Sequence, residues 1–408
     1  MPPPTTSGSP LDGSNRAHQL VVTGGRVLSG GPVLGEAGAD VVCLDGRIAT
    51  VSVGPVARGD AVLDASGLVV APGLIDLQIN GGYGIDLVAD PASLWKLGAR
   101  LPATGVTAFL PTIVSSPLDR VDAAMEALAV RPEGYRGAEP LGLHLEGPFL
   151  ASARRGAHRV EHLQPVTAET MARWSRSTGV ALVTLAPELP GALAAVAELR
   201  DRGVVVAGGH TEADATVAAA ATEAGMTLVT HLFNAMTPMG HRNPNLAGYV
   251  LGSDRLAAGL IVDGVHVDPL VVAAAWRALG PDRTVLVTDA VAAMGLAPGN
   301  HTLGRTTVHS DGTAVRTLDG TLAGSALTLD QAVQNLRAAT GATLAEAVTA
   351  AATTPAVVLG DRMRGLIRPG RRADLAVMDG EGGLVATICG GDVEYLADDQ
   401  AHRLRRRH

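Results

Sequence analysis

Aromatic side chains are nearly missing from this sequence: Phe, Trp and Tyr together make up 2% of its 408 residues. The core must therefore be filled by Ala, Val, Leu and Gly, which a hydrophobic content of 47% supplies. Cysteine is scarce as well, with only Cys43 and Cys389 near opposite ends of the chain. That excludes a disulfide framework and a Cys-x-x-Cys metal site, and both residues lie in apolar runs that suit inert buried thiols. No stretch reaches the ~18 uninterrupted apolar residues of a membrane helix. The start, Met1-Pro-Pro-Pro-Thr-Thr-Ser-Gly8, lacks the charged-then-apolar layout of a signal peptide. Residues 1–18 read as a disordered leader and the protein as cytoplasmic. Positive charge is not in excess either: a net charge of −8 argues against nucleic acid as the main partner. The short basic end, Arg403 to His408, reads as a frayed, solvated tail.

What is present falls into two rhythms. Residues 19–71 read as short strands with tight turns, Gly24-Gly25 separating two apolar runs and Asp45-Gly46 carrying a strong hairpin signal. From Gly73 onward, apolar runs of strand length recur at 74–79, 108–113, 141–145, 180–185, 204–207, 228–232, 257–262 and 284–287. Helical spacing fills many of the gaps, at 118–128, 167–177, 189–200, 213–224 and 270–279. Strands alternating with helices imply parallel strands joined by right-handed crossovers. Eight such units suit an α/β fold of the (β/α)8 TIM-barrel type, whose usual size is ~250 residues. A doubly wound open sheet is the alternative, but no Gly-rich dinucleotide loop follows the first strand. After the eighth unit come a hairpin-like section (302–308 and 313–318), helical stretches at 326–338 and 344–352, and a return to strand character near 365–378 and 385–389. Residues 19–71 and 356–400 are therefore expected to pair into one small β-sandwich domain, since either piece alone is too small for a core. The barrel would occupy 72–355.

Polar residues follow several of the barrel strands. These are Gln78 and Asn80, Glu146, His210, His231 and Asp289, with His266 in a loop. They are far apart in sequence, yet a barrel brings the C-terminal ends of its strands to one rim, where such enzymes keep their chemistry. One carboxylate and two imidazoles, Glu146, His210 and His231, are a common ligand set for Zn2+ or a similar divalent ion. They leave the ion net positive, able to polarise a carbonyl. His231 taken alone is equally well a core histidine bonded to a carbonyl. Asp289 suits a proton-transfer role, or an N-cap for a helix beginning at Ala290. His144 shares the face of Glu146 and reads as a supporting residue; Gly156-Ala157-His158 can reach the same rim. His162, His301 and His309 read as surface residues.

Six motifs occur in one order: Pro72-Gly-Leu-Ile-Asp-Leu-Gln78-Ile-Asn80-Gly-Gly82, His144-Leu-Glu146-Gly-Pro148, Gly208-Gly-His210, Thr230-His231-Leu-Phe-Asn234-Ala-Met236, Asp263-Gly-Val-His266 and Val287-Thr-Asp289-Ala290. In this order the chain resembles the N-acetylglucosamine-6-phosphate deacetylases of the amidohydrolase superfamily, from about residue 20 to 396. The resemblance implies Glu146, His210 and His231 as metal ligands and Asp289 as general base and acid. It implies His266, Ala157 and His158 at the sugar, contacts from Asn234 and Ala235, and Leu322, Ala323, Gly324 and Ser325 lining the pocket. Arg242 resembles the residue that binds the 6-phosphate, often reaching into the neighbouring subunit of a homodimer. A guanidinium fork suits a phosphate; without the motif, Arg242 would read as an exposed solubilising residue. Many superfamily members have His-x-His after the first strand and hold two metals. This chain has Gln78 and Asn80 there, so one divalent ion is expected per subunit, Zn2+ first, with Fe2+, Mn2+ or Co2+ as alternatives.

The implied reaction is deacetylation of N-acetylglucosamine 6-phosphate to glucosamine 6-phosphate and acetate, in amino-sugar catabolism and recycling. Two rivals remain. One is another deacylase of the superfamily, acting on N-acetylgalactosamine 6-phosphate or an N-acylamino acid. The other is a non-catalytic sugar-phosphate sensor, which would have no need of a base such as Asp289.

Overall fold

Eight parallel strands close most of a barrel: Leu74–Ile79, Val106–Val114, Leu143–Glu146, Val180–Leu185, Val205–Gly208, Leu228–Val229, Ala257–Leu260 and Thr284–Leu286. The computed structural model describes residues 19–29, 34–53, 59–303 and 306–406. Each barrel strand pairs with the next in sequence order. The eighth returns to the first through main-chain bonds from Asn80 N to Ala290 O (2.7 Å) and from Asp289 N to Gln78 O (2.9 Å). Strands such as Leu74–Ile79 and Val180–Leu185 are buried at every position, as expected of parallel strands covered on both faces. The helices outside them are narrow and Ala-rich. Ala192–Asp201 packs inward with Ala192, Ala195, Val196 and Leu199, and Ala215–Ala224 with Ala218, Ala221 and Thr222. Small side chains let these helices lie close to the sheet, so a core with few aromatics still excludes water.

All eight predicted strands are present. One predicted helix is not: 167–177 winds through turns into the short 3-10 segment Arg176–Thr178. Hydroxyl groups compete here with a helical ladder. Thr178 Oγ1 donates to Arg173 O at 2.6 Å, and Ser175 and Thr178 cap each other's main chain. The segment still buries Met171 and Trp174, the latter 5.6 Å from Phe149 between ring centres, so its apolar spacing serves the core without a helix.

The chain ends build a second, largely antiparallel sheet of nine strands, seven of them in the order Asp392–Leu396, Leu384–Cys389, Leu375–Met378, Val69–Pro72, Gln19–Val27, Leu34–Leu44 and Arg47–Ser52, with Ala61–Asp64 branching from Gln19–Val27 and carrying Leu404–Arg406. Its own core includes Leu20, Val41, Ile48, Leu63, Leu375 and Ile388. Asp45 and Gly46, both at positive φ, make the expected two-residue turn. Gly24-Gly25 is not a turn: Gln19–Val27 is one continuous strand with register shifts on both sides of Gly25. There a Cβ would stand 2.6 Å from Val70 Cγ2, so the glycine serves close strand approach. The basic end is not frayed as far as Arg406. Leu404–Arg406 pairs with Ala61–Asp64, and Arg403 Nη1 donates to Asp64 O and Ser66 O. The expected leader, 1–18, lies outside the described residues. Cys43 and Cys389 are buried in this sheet, and burial pushes the Cys43 thiol up to about 12.

The hairpin-like section after the eighth strand is larger than its pattern suggested. Gly299–Leu303, Thr306–Ser310, Ala314–Thr317 and Leu322–Ser325 form a four-stranded antiparallel sheet. Its last strand runs back to the barrel rim, with Ser325 N donating to Asp289 O at 2.9 Å. No helix among the described residues is long and apolar enough to cross a membrane.

Candidate active site

Strand geometry carries Glu146, His210 and His231 to one point. Glu146 is the last residue of the third strand, and the two histidines stand just beyond the fifth and sixth. Glu146 Oε1 lies 3.1 Å from His210 Nε2 and 3.0 Å from His231 Nε2, and the two nitrogens are 3.1 Å apart. All three side chains are at most 5% exposed. His210 Nδ1 is 2.9 Å from Arg154 O, and a carbonyl accepts only, so Nδ1 carries a hydrogen and Nε2 is the nitrogen turned to the cluster. A carboxylate oxygen and imidazole lone pairs crowded together need a cation among them. Ligands about 2.0–2.1 Å from a tetrahedral ion sit roughly 3.3 Å from one another, close to the spacing seen. The donor set therefore fits a single divalent metal ion.

Asp289 stands beside this cluster, past the eighth strand. No helix starts at Ala290, which removes the N-cap reading. Asn80 Nδ2 donates to Asp289 Oδ1 at 2.7 Å and Gln78 Nε2 at 3.2 Å; Gln78 Nε2 also donates to Glu146 Oε1 at 3.1 Å. Two amides thus stand where the wider superfamily's His-x-His would; Gln78 bridges the two carboxylates and Asn80 binds Asp289 alone. Burial, and then the Glu146 charge, push Asp289 up to about 6. Behind it the Asp76 carboxyl, buried and pushed up to about 7, accepts from Thr288.

His158 is buried against Glu146, Nε2 to Oε2 being 3.8 Å, and the Ser115 main-chain N–H donates to its Nδ1. Burial and the neighbouring His210 push its pKa down to about 3, so it is neutral. A cleft of about 300 Å3 opens beside it, lined by residues 155–161, including Ala157, and by Thr317, Asp319 and Thr321. His266 Nδ1 is bound to Asp263 Oδ2 at 2.6 Å, which leaves Nε2 as its free nitrogen. Burial works against the Asp263 charge, yet His266 holds this carboxyl below its ordinary range. Asn234 turns its amide hydrogens back to His231 O and Leu232 O, and Ala235 O accepts from Thr211 N. Ala323 and Ser325 are buried on the strand that abuts Asp289, beside half-buried Leu322 and Gly324. Arg242 is exposed on the loop before Asn245–Gly252 and makes no hydrogen bond or ion pair within the chain among the described residues. The chain thus does not bring Arg242 to its own cluster by any bond. His144 has a supporting place, its ring between Thr112 Oγ1 (3.2 Å) and Thr184 Oγ1 (2.8 Å).

Sequence reasoning gave no role to Asp76, Asp263 and Thr288, which stand inside the quoted motifs, and did not single out Ser115. Asp76 left a signal, a charge inside an otherwise apolar strand. Ser115 and Thr288 left none, since hydroxyls are ordinary in and beside strands.

Residues 69–399 match the amidohydrolase family. The chain is 38% identical over 406 residues to N-acetylglucosamine-6-phosphate deacetylase of Bos taurus, covering 95% of this chain and 98% of that one. The Bacillus subtilis (strain 168) enzyme of the same name is 34% identical over 366 residues, 87% of this chain and 92% of its own. Among solved structures, a mutant N-acetyl-D-glucosamine-6-phosphate deacetylase from Mycobacterium smegmatis, in complex with N-acetyl-D-glucosamine-6-phosphate, superposes with a TM-score of 0.84 at 32% identity. It covers 92% of this chain and 99% of that one.

Proposed function

The chain belongs to the amidohydrolase family, among its N-acetylglucosamine-6-phosphate deacetylases, and from that premise we propose how its own residues hydrolyse the acetamide of N-acetylglucosamine 6-phosphate to glucosamine 6-phosphate and acetate. The observation that carries the reading is a buried proton acceptor, Asp289, joined through Gln78 to a three-donor metal cluster. Glu146, His210 and His231 would hold one divalent ion, Zn2+ in our reading, which when bound supplies Lewis acidity toward the amide carbonyl and acidifies water.

Asp289 takes the proton of the attacking water and returns it to the leaving nitrogen, because an amide anion is too basic to depart unprotonated. Its Oδ1 is occupied by Gln78 and Asn80, which leaves Oδ2 for the moving proton. A carboxyl pushed up toward neutrality is a better match for both accepting and returning that proton than an ordinary aspartate. His158, with Nδ1 accepting from Ser115, presents Nε2–H as a donor at the reacting group. His266 meets the sugar through Nε2, its ring oriented by Asp263. Asn234, Ala235, Ala157 and the strand Leu322–Ser325 complete the sugar pocket. Arg242, exposed and without a partner among the described residues of its own chain, takes the 6-phosphate of a substrate bound to a second copy in a cytoplasmic homodimer. That remote contact orients the amide.

Purified protein incubated with both C4 epimers of the 6-phosphate should release free amine from the gluco epimer, and a chelator should abolish the release. Asp289→Asn should lower kcat by ~10²–10⁴ with metal content unchanged; a near-normal rate would remove Asp289 from the mechanism. Arg242→Ala should raise KM for the phosphorylated substrate. Indifference to that change would favour a phosphate-free N-acyl substrate instead.

A further inference from the structure

We propose that Asp76 is a positioning residue. From the first barrel strand its carboxylate clamps the main chain and hydroxyl of Thr288, and so holds Asp289 in the backbone conformation its proton transfer requires. The inference rests on the reading of Asp289 given above. Asp289 has a φ of +49°, a left-handed conformation uncommon outside glycine, though aspartate enters it more readily than most residues. The surroundings here are specific. Thr288 Oγ1 donates to Asp76 Oδ2 at 2.6 Å, and Thr288 N to Asp76 Oδ1 at 3.3 Å. The same Oδ1 accepts from Gln78 N at 3.1 Å. On the far side, Ser325 Oγ donates to Thr288 O at 2.6 Å and Ser325 N to Asp289 O at 2.9 Å. The peptide groups on both sides of Asp289 are thereby fixed, and Asp76 also grips the residue whose side-chain amide bonds Asp289.

Joining two barrel strands does not need a charge. Asp76 is 0% exposed, and burying a carboxylate is costly even when three donors satisfy it. An apolar pair would close the barrel between its first and eighth strands at lower cost. What a carboxylate adds is short, charge-assisted, directional bonds. Two of the three go to the residue immediately before Asp289, and the third to Gln78 N.

The test uses the full chain with its metal bound. Asp76→Asn keeps the shape and Thr288→Val removes the hydroxyl, while Thr288→Ser retains it. Asp76→Asn and Thr288→Val should each lower kcat by roughly 10- to 100-fold, with KM and metal content unchanged. Thr288→Ser should stay within about threefold of the parent. Placed in an Asp289→Asn background, Asp76→Asn should cost less than about twofold more, because a residue acting through Asp289 has nothing left to position. A folded Asp76→Asn enzyme with full kcat, or one that slows the Asp289→Asn enzyme by its whole single-variant factor, overturns the proposal. If Asp76→Asn does not fold, the Thr288→Val and Thr288→Ser pair decides, equal rates for the two overturning it. A near-normal Asp289→Asn rate would instead sink the reading of Asp289 itself, so the two failures are told apart.

Discussion

His210, His231 and Asp289 have φ values of +49°, +25° and +49°. None is glycine, and a left-handed backbone costs an ordinary residue roughly 1–2 kcal/mol. Each stands one or more residues past its strand, where pairing stops and the chain turns to aim a side chain at the centre. The neighbour that permits this at Asp289 is Gly324, at φ +83°, where an added Cβ would stand 2.8 Å from Asp289 O and 2.6 Å from Val291 Cγ1. Gly324→Ala should therefore lose stability by about 1–3 kcal/mol and displace Asp289, lowering kcat without loss of bound metal. Denaturant midpoints alongside kcat and metal content check this; unchanged kcat would mean that Asp289 does not depend on that contact. At this scale the centre was legible where a polar residue follows an apolar run, as Glu146, His210, His231 and Asp289 do. Asp76 was hidden because it interrupts a run instead of ending it, and Thr288 because threonine suits a strand anyway.

Among the elements, the barrel strands were legible because strands buried on both faces read as unbroken apolar runs. The segment 167–177 was not, since its serine and threonine hydroxyls bond the main chain and win over helical spacing. Nor was Gly24-Gly25, where a bulge and a turn share one sequence signal. The loop after the seventh strand has its own pH signature. Asp263 Oδ1 accepts from the main-chain N–H groups of Val265 and His266, and Oδ2 binds the His266 ring. Its carboxyl is held below the ordinary value, so folding gains from its charge above the unfolded pKa of about 3.9. That gain is lost as pH falls through the lower folded value. Urea midpoints measured from pH 6 downward should fall more steeply for the parent than for Asp263→Asn below about pH 4. Parallel curves would show that the loop draws nothing from this charge.

Over the whole molecule, two cores are sewn together by a chain whose beginning and end share one sheet. That residues 19–71 and 356–400 would share a domain was expected because each end is too small to bury a core by itself; the seam is Leu375–Met378 beside Val69–Pro72. The course of Leu404–Arg406 along Ala61–Asp64 was not expected, because three residues, two of them arginine, carry no strand pattern. Asp374 fastens this sheet to the loop leaving the barrel. Its Oδ2 lies 3.0 Å from both Arg364 and Arg372, and Gly73 N donates to its main-chain O at 2.9 Å. The result is a frame on which residues from the first, third, fifth, sixth and eighth barrel strands meet at one small cluster. We propose that this cluster works with a single ion, Gln78 and Asn80 taking the place of a second. Stripping the enzyme with a chelator and titrating Zn2+ back while following free amine from N-acetylglucosamine 6-phosphate tests it directly. A single-ion site gives a linear rise that ends at one ion per chain; a rise that continues to two ions per chain rules it out.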